Sequence, residues 1–202
     1  WHARGHGVGD ADRHQHGGQH QAGGDVGLQQ LGQADIVLAD VRWLEGAEAV
    51  LRAAHAAGVP AMLDAEVGPL PVLQRLVPLA SHKVFSDAGL LHYTGLASVD
   101  EALLAVAAQQ GGHVGASCGA AGYAWVDDGR VRRVPAPVVQ VVAPLAAGDV
   151  FHGALALGLA EGRRVDEAAR FACHAATLKC TRFGGRLGCP DRAEVEASLA
   201  SG

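Results

Sequence analysis

The chain has 202 residues, 49% of them hydrophobic and 18% charged, with a formal net charge of −5. That length and balance fit a globular protein able to bury a sizeable core. The acidic balance gives no electrostatic case for nucleic acid or an anionic membrane as partner. No apolar run reaches the roughly 20 residues a bilayer span needs, and no basic start leads into an apolar stretch as in a secretory signal.

Residues 1–33, WHARGHGVGDADRHQHGGQHQAGGDVGLQQLGQ, hold nine glycines and five histidines, and the few apolar residues follow neither a helix nor a strand period. Such a stretch buries too little surface to offset its ordering entropy. It reads as a disordered or artefactual His/Gly/Gln-rich leader, such as a shifted reading frame produces. A metal site on His14, His16 and His20 is the alternative. From residue 34 the pattern becomes orderly. ADIVLAD is a short apolar run suited to a buried strand. EGAEAVLRAAHAAG follows as a helix, with Val50, Ala54 and Ala57 on one stripe and Gly58 as its stop. VPAMLDAE is a second buried strand, ending near Asp64, and the β-α-β unit so formed implies parallel strands with a right-handed crossover.

HKVFSD is a third strand candidate. SVDEALLAVAAQQGG is a helix with Ser98 or Asp100 near its cap, and HVGASCG is a fourth strand. GYAWVDDGRVRRVPA reads as a hairpin turning at Asp128-Gly129. Helices are expected at about 150–161, 166–179 and 191–200. This alternation argues for a layered α/β fold. Cys118, Cys173, Cys180 and Cys189 lack metal-knuckle spacing and read as reduced and mostly buried, which suits a cytoplasmic protein.

The stretch APLAAGDVFHGALALGLAEG carries the chemistry. Ala146, Ala147 and Gly148 are small enough for backbone to approach a ligand, and an apolar helix follows. Unpaired N–H groups at a helix start, reinforced by the helix dipole, attract an anion such as a phosphoryl group. Asp149 on the same turn could take a proton from an attacking hydroxyl, or it could simply cap the helix. By pattern alone the two readings stand level. His152 reads as a mid-helix packing or exposed residue rather than a cleft residue, and Trp43 and Trp125 as packing residues. Arg130, Arg132 and Arg133 read as a solvated strand face.

LAAGDVFHGALALGLAEG resembles the signature of the ribokinase-like (PfkB-type) carbohydrate kinases, whose G-A-G-D-x-F pattern forms an anion hole and supplies a base. The resemblance extends through AATLKCTRFGGRLGCPDRAEV and back through GASCGAAGYAWVDDGRVRRVPAP, over roughly residues 34–200. It is nearest the sulfofructose-kinase branch, where Leu-Ala-Ala-Gly-Asp and KCTRFGG also occur.

The resemblance implies a three-layer α/β/α fold with a mostly parallel sheet, incomplete at the N-terminus. Residues 34–202 would be the C-terminal nucleotide-binding and catalytic part. It implies ATP-dependent phosphoryl transfer to a hydroxyl of a small sugar or sugar derivative, sulfofructose or ketose-like, or else an inactive fragment that binds nucleotide weakly or not at all. Asp149 would be the base and Ala146, Ala147 and Gly148 the anion hole. The N–H groups of Ala147, Gly148 and Asp149 would hold the phosphate. Ser117, Gly119, Gly122, Cys173, Gly184 and Gly185 would contact the nucleotide, and Asp64 would face the substrate cleft. ATP and Mg²⁺ are implied, with Mg²⁺ arriving on the nucleotide. A homodimer is left open for an intact parent.

Three departures accompany the resemblance. Ala143-Pro144 replaces the Asp-Thr that helps order a monovalent-cation site, which puts that ion in doubt. Ser86 and Gly89 stand where relatives carry Asn-x-x-Glu, tied to Mg²⁺ and phosphate. The leader occupies the place of the segment that supplies a lid and most sugar contacts. Lys179 and Arg182 are lesser candidates for contact with nucleotide phosphates.

Overall fold

The computed structural model describes residues 31–201. The bulk of the leader, including His14, His16 and His20 of the candidate metal site, therefore lies outside the described residues. Its last three residues, Leu31–Gln33, form a 3-10 turn, and Leu31 packs against the core, so ordered structure already includes part of what the sequence pattern assigns to the leader.

Six strands form one sheet in chain order. β1 (Val37–Asp40), β2 (Ala61–Ala65), β3 (His82–Ser86) and β4 (His113–Ser117) run parallel. β5 (Tyr123–Asp127) and β6 (Arg130–Val134) complete it antiparallel. The three inner parallel strands, β2 to β4, have buried centres because both faces are covered, whereas the edge strand β1 leaves Leu38 exposed. The β5–β6 turn falls on Asp128 and Gly129, both at positive φ (48° and 69°), the paired left-handed geometry that lets a two-residue turn follow strand twist.

Four helices cover one face: α1 (Leu44–Ala57), α2 (Leu70–Leu76), α3 (Asp87–Thr94) and α4 (Val99–Gln110). They bury Leu51, Leu73, Leu90 and Leu103 completely against Leu63 and Phe85, each such side chain contributing about 1.5–3 kcal/mol. On α1 the buried stripe is Ala47, Leu51 and Ala54. Of the expected Val50-Ala54-Ala57 stripe, Ala54 is buried and Val50 packs half-buried against the core, while Ala57, the last residue of the helix, is exposed. Gly58 does end α1, in the left-handed conformation. Ser98 caps α4 by accepting from Glu101 N.

The opposite face carries α5 (Ala147–Ala160) and α6 (Val165–Cys180), and α7 (Arg192–Ala200) packs outside them. The result is the three-layer α/β/α arrangement. Small residues let α5 and α6 approach closely: a Cβ on Gly158 would stand 2.9 Å from Ala168 Cβ. Phe151 and Leu155 of α5 reach the sheet at Met62, Val84, Tyr123 and Trp125.

Two helices carry no signal in the sequence pattern. α2 is seven residues long and begins beside Pro69, too short to show a period. α3 starts directly at the end of β3, where the strand reading had run through Asp87, and Ser86 caps it by accepting from Gly89 N at 3.0 Å. Trp125 packs as expected, but Trp43 is 70% exposed, lying over Gly46 at the surface. All four cysteines are free; only Cys173 is buried and the others are partly exposed, against the expectation that most are buried.

Candidate active site

The carboxyl ends of β1–β4 bring Asp40, Asp64, Ser86 and Ser117 to one edge of the sheet. Asp40 and Asp64 are in register, side by side. Over this edge α5 begins. Ala146, just before it, adopts the left-handed conformation (φ 64°, ψ 12°) with no side-chain cap. The first bond of the helix is Val150 N to Ala146 O at 3.0 Å. Among the described residues, the N–H groups of Ala146, Gly148 and Asp149 find no acceptor, so they remain available for an external anion. Ala147 differs from the expectation: its N–H donates to Pro144 O at 3.1 Å, closing the turn instead of facing a ligand. Asp149 is exposed on the first turn of α5, beside these free donors.

The loop leading into this turn is held from behind. Val142 and Ala143 donate to Cys180 O at 2.8 and 3.1 Å. Lys179 is completely buried, its Nζ on Ala143 O at 3.1 Å and Arg182 O at 3.4 Å. Lys179 therefore tethers backbone and does not reach outward to a phosphate. Arg182 is likewise engaged, in a two-pronged pair with Glu194 at 3.0 and 2.6 Å.

A cavity of about 380 Å³ opens beside the α5 turn. Ala147 and Gly148 line it, together with Ser117, Gly119, Gly122 and Cys173. The fold thus gathers four of the six expected nucleotide positions, from β4, the following turn and α6, beside the expected anion turn. Gly184 and Gly185 lie outside the lining, on the loop after α6, where nothing stands within 4 Å of an added Cβ. The site also uses residues that pattern reading missed: Phe151, Thr177 and Cys180, plus Val139 and Val141 from the irregular stretch before the motif. A buried thiol at Cys173, pushed up to about 12 by desolvation, keeps that wall neutral and apolar. Gly122 is fixed by geometry: φ is 87°, and an added Cβ would collide with Val134 O.

A larger cavity, about 540 Å³, lies at the opposite end of the sheet, lined by Arg132, Arg164, Arg170, Asp127 and Asp166 among others. Arg132 pairs with Asp127 at 3.6 Å and Arg164 with Asp166 at 3.1 Å, as on a solvated charged face. The start of α6 lines it, but the acids there are already engaged, Glu167 accepting from Arg164 N and Asp166 from Arg164 Nε, both at 3.1 Å, so the smaller cavity beside the exposed Asp149 is the chemical candidate.

Asp64 does not line the cavity itself; it sits beneath the α5 turn, its side chain 13% exposed. Burial pushes its carboxyl up from the ordinary value; the His152 ring opposes that, and the charges of Glu66, Asp149 and Asp40 add to it. His152 is buried, as a packing residue would be, yet its ring faces the sheet edge, with Nε2 3.3 Å from Asp64 Oδ1. The Ser86–Gly89 pair does not fit a metal-binding role. The Ser86 hydroxyl accepts from Gly89 N, and a Cβ on buried Gly89 would stand 2.5 Å from Ala65 O. Among the described residues no cluster of His, Cys, Asp and Glu has the geometry of a metal site. No helix among them is long and apolar enough to cross a membrane.

The family model for pfkB family carbohydrate kinases matches residues 10–192, beginning within the leader. Ribokinase of Bacillus subtilis (strain 168) is 43% identical over 67 residues, which is 33% of this chain and 23% of that protein. A solved structure assigned as a ribokinase from Agrobacterium tumefaciens superposes with a TM-score of 0.83 at 41% identity, over 86% of this chain and 58% of that one. The Arabidopsis thaliana ribokinase structure, complexed with ribose and ATP, gives a TM-score of 0.75 at 28% identity, over 87% of this chain and 59% of its own. The chain therefore spans well under two thirds of the length of these relatives.

Proposed function

Because the chain belongs to the pfkB family of carbohydrate kinases, we propose that it carries the nucleotide site and catalytic turn of an ATP-dependent kinase. The reaction proposed is transfer of the γ-phosphoryl group to a hydroxyl of a small sugar or sugar derivative. One observation carries this reading. The apolar cavity ends on the first turn of α5, where free N–H donors and the exposed Asp149 carboxylate lie together.

In this reading the adenine lies in the apolar cavity against Cys173 and Thr177, and the turn at Gly119–Gly122 lets backbone approach the nucleotide. The transferring phosphoryl group lies at the N–H groups of Gly148 and Asp149, which offset the charge on its oxygens through the helix start. The Asp149 carboxylate accepts the proton of the acceptor hydroxyl. That oxygen bonds to the γ-phosphorus as the bond from phosphorus to the β,γ-bridging oxygen breaks, and ADP leaves with that electron pair. Mg²⁺ belongs to this reading as the nucleotide's own companion, held by phosphates and water. The Ser86–Gly89 pair supplies no ligand for it, and no monovalent cation is assigned.

A ketose-like acceptor such as sulfofructose is the finer proposal, supported by the LAAGD and KCTRFGG stretches. The Arabidopsis ribokinase with ribose and ATP supports the coarser sugar-and-ATP pairing. Four free cysteines suit a reducing, cytoplasmic compartment.

The test is ADP release with Mg·ATP and a panel of ketose and sulfosugar acceptors. Acceptor-dependent release is expected, and its absence leaves nucleotide binding without turnover as the second reading. Asp149→Asn should lower turnover by about 10²–10⁴-fold, the range a positioned base supplies, while ATP binding stays nearly unchanged. Equal turnover in the variant would remove Asp149 from the mechanism.

A further inference from the structure

The buried residue His152 has no role in the phosphoryl-transfer scheme, yet it connects its two halves. Its side chain is 3% exposed. Nδ1 lies 2.8 Å from Gly148 O, one helical turn back. Nε2 lies 3.2 Å from Val84 O on β3 and 3.3 Å from Asp64 Oδ1 on β2. Asp64 and Val84 are register partners, so one ring edge meets both strands at the same level. Asp64 Oδ1 is buried and has no well-directed hydrogen bond, the Nε2 contact being its nearest source of compensation.

Both ring nitrogens therefore face oxygen acceptors. With Nδ1–H donating to Gly148 O, a bare Nε2 would set its lone pair against Val84 O and Asp64 Oδ1. A proton at that contact turns repulsion into attraction and relieves the orphaned oxygen, whose burial without a partner is otherwise unfavourable. Gly148 belongs to the turn whose N–H groups stand free. Fixing its carbonyl fixes the orientation of the peptide planes at the start of α5.

We propose that His152 is a positioning residue. Its ring bridges the Asp64 carboxyl to the Gly148 carbonyl, and so holds the anion-binding turn and Asp149 in place over the sheet edge. This rests on the phosphoryl-transfer reading for its consequence in catalysis, but the bridge itself is testable without turnover.

The ring ¹⁵N resonances of His152 in the full chain report the Asp64 contact directly. Asp64→Asn is expected to move the Nε2 resonance, and an unmoved resonance overturns the bridge. Mg·ATP titration of the labelled chain is expected to shift the Gly148 and Asp149 amide resonances, and His152→Phe, which keeps ring volume but neither nitrogen, to reduce those shifts. Full shifts in a folded His152→Phe chain overturn the positioning role. Should that variant not fold, His152→Asn takes its place, expected to retain a larger share of the amide response than His152→Ala; equal responses overturn the role. In ADP release His152→Phe is expected to lower kcat about a hundredfold, the scale of a misplacement near 1 Å, with little change in sugar KM. A change in KM alone also overturns it. If the original chain shows no turnover while the resonance tests succeed, the functional reading fails and the bridge stands.

Discussion

Ala146→Gly should stabilise the protein without altering its nucleotide site. Ala146 holds φ 64° and ψ 12° immediately before α5, one of two non-glycine residues at positive φ among the described residues. For an L-residue with a Cβ the left-handed conformation costs roughly 1–2 kcal/mol, which glycine does not incur. Glycine's greater freedom in the unfolded chain offsets about 0.4–1 kcal/mol of that. The net expectation is a gain of about 0.5–1 kcal/mol, equivalent to about 1–4 °C in a chain of this size. Urea unfolding followed by far-UV circular dichroism measures it: the midpoint should rise with the slope unchanged. ATP affinity should stay the same, because Val150 N bonds the Ala146 carbonyl and not its side chain. A midpoint that is unchanged or lower would show that the turn carries no such strain, and the backbone geometry assigned to the anion site would be wrong. Ala146→Val, with a branched Cβ in the same conformation, should move the midpoint the opposite way.

Gly122→Ala should destabilise the fold and weaken ATP binding together, since φ is 87° and the added Cβ meets backbone atoms of Val134 and Ala136; an ATP titration indistinguishable from that of the original chain would contradict the placement of this turn in the cavity. Stability should also fall in acid. Desolvation, with smaller contributions from His82 and Lys83, lowers His113 from 6.5 to about 4, so the unfolded ring takes a proton that the folded ring refuses. The loss begins below about pH 6.5, grows as pH drops toward about 4, and amounts to about 3 kcal/mol. Urea midpoints measured from pH 7 to about pH 4.5 check this. His113→Gln should flatten the dependence, although His82, shifted in the same direction, leaves part of it.

Most of the layered architecture can be read from local pattern. The strand cores at Val37–Asp40, Ala61–Ala65, His82–Ser86 and His113–Ser117 are short apolar runs between turn residues, and Asp128-Gly129 states its own turn type. The small-residue run before an apolar helix marks the α5 start, because unpaired N–H groups are a property of any helix beginning. α2 escapes because seven residues give too few turns for periodicity to register. α3 escapes because its cap, Ser86, is also the last residue of β3.

What the chain's order could not tell was which distant residues would meet. Asp64 and His152 are adjacent only because β2 ends beneath the first turns of α5, and the side of a helix that faces the sheet depends on how two apolar faces pack. Lys179 is ambiguous as a sequence element, since a lysine at a helix end can as easily reach solvent. Only the fold turns it inward, onto Ala143 and Arg182. Ala147 illustrates the same limit within four residues: its N–H was expected to face an anion, and the turn at Pro144 claims it. Periodicity sets the apolar face of each element, whereas contacts between elements follow from rotation and register, which are decided when the whole core packs at once.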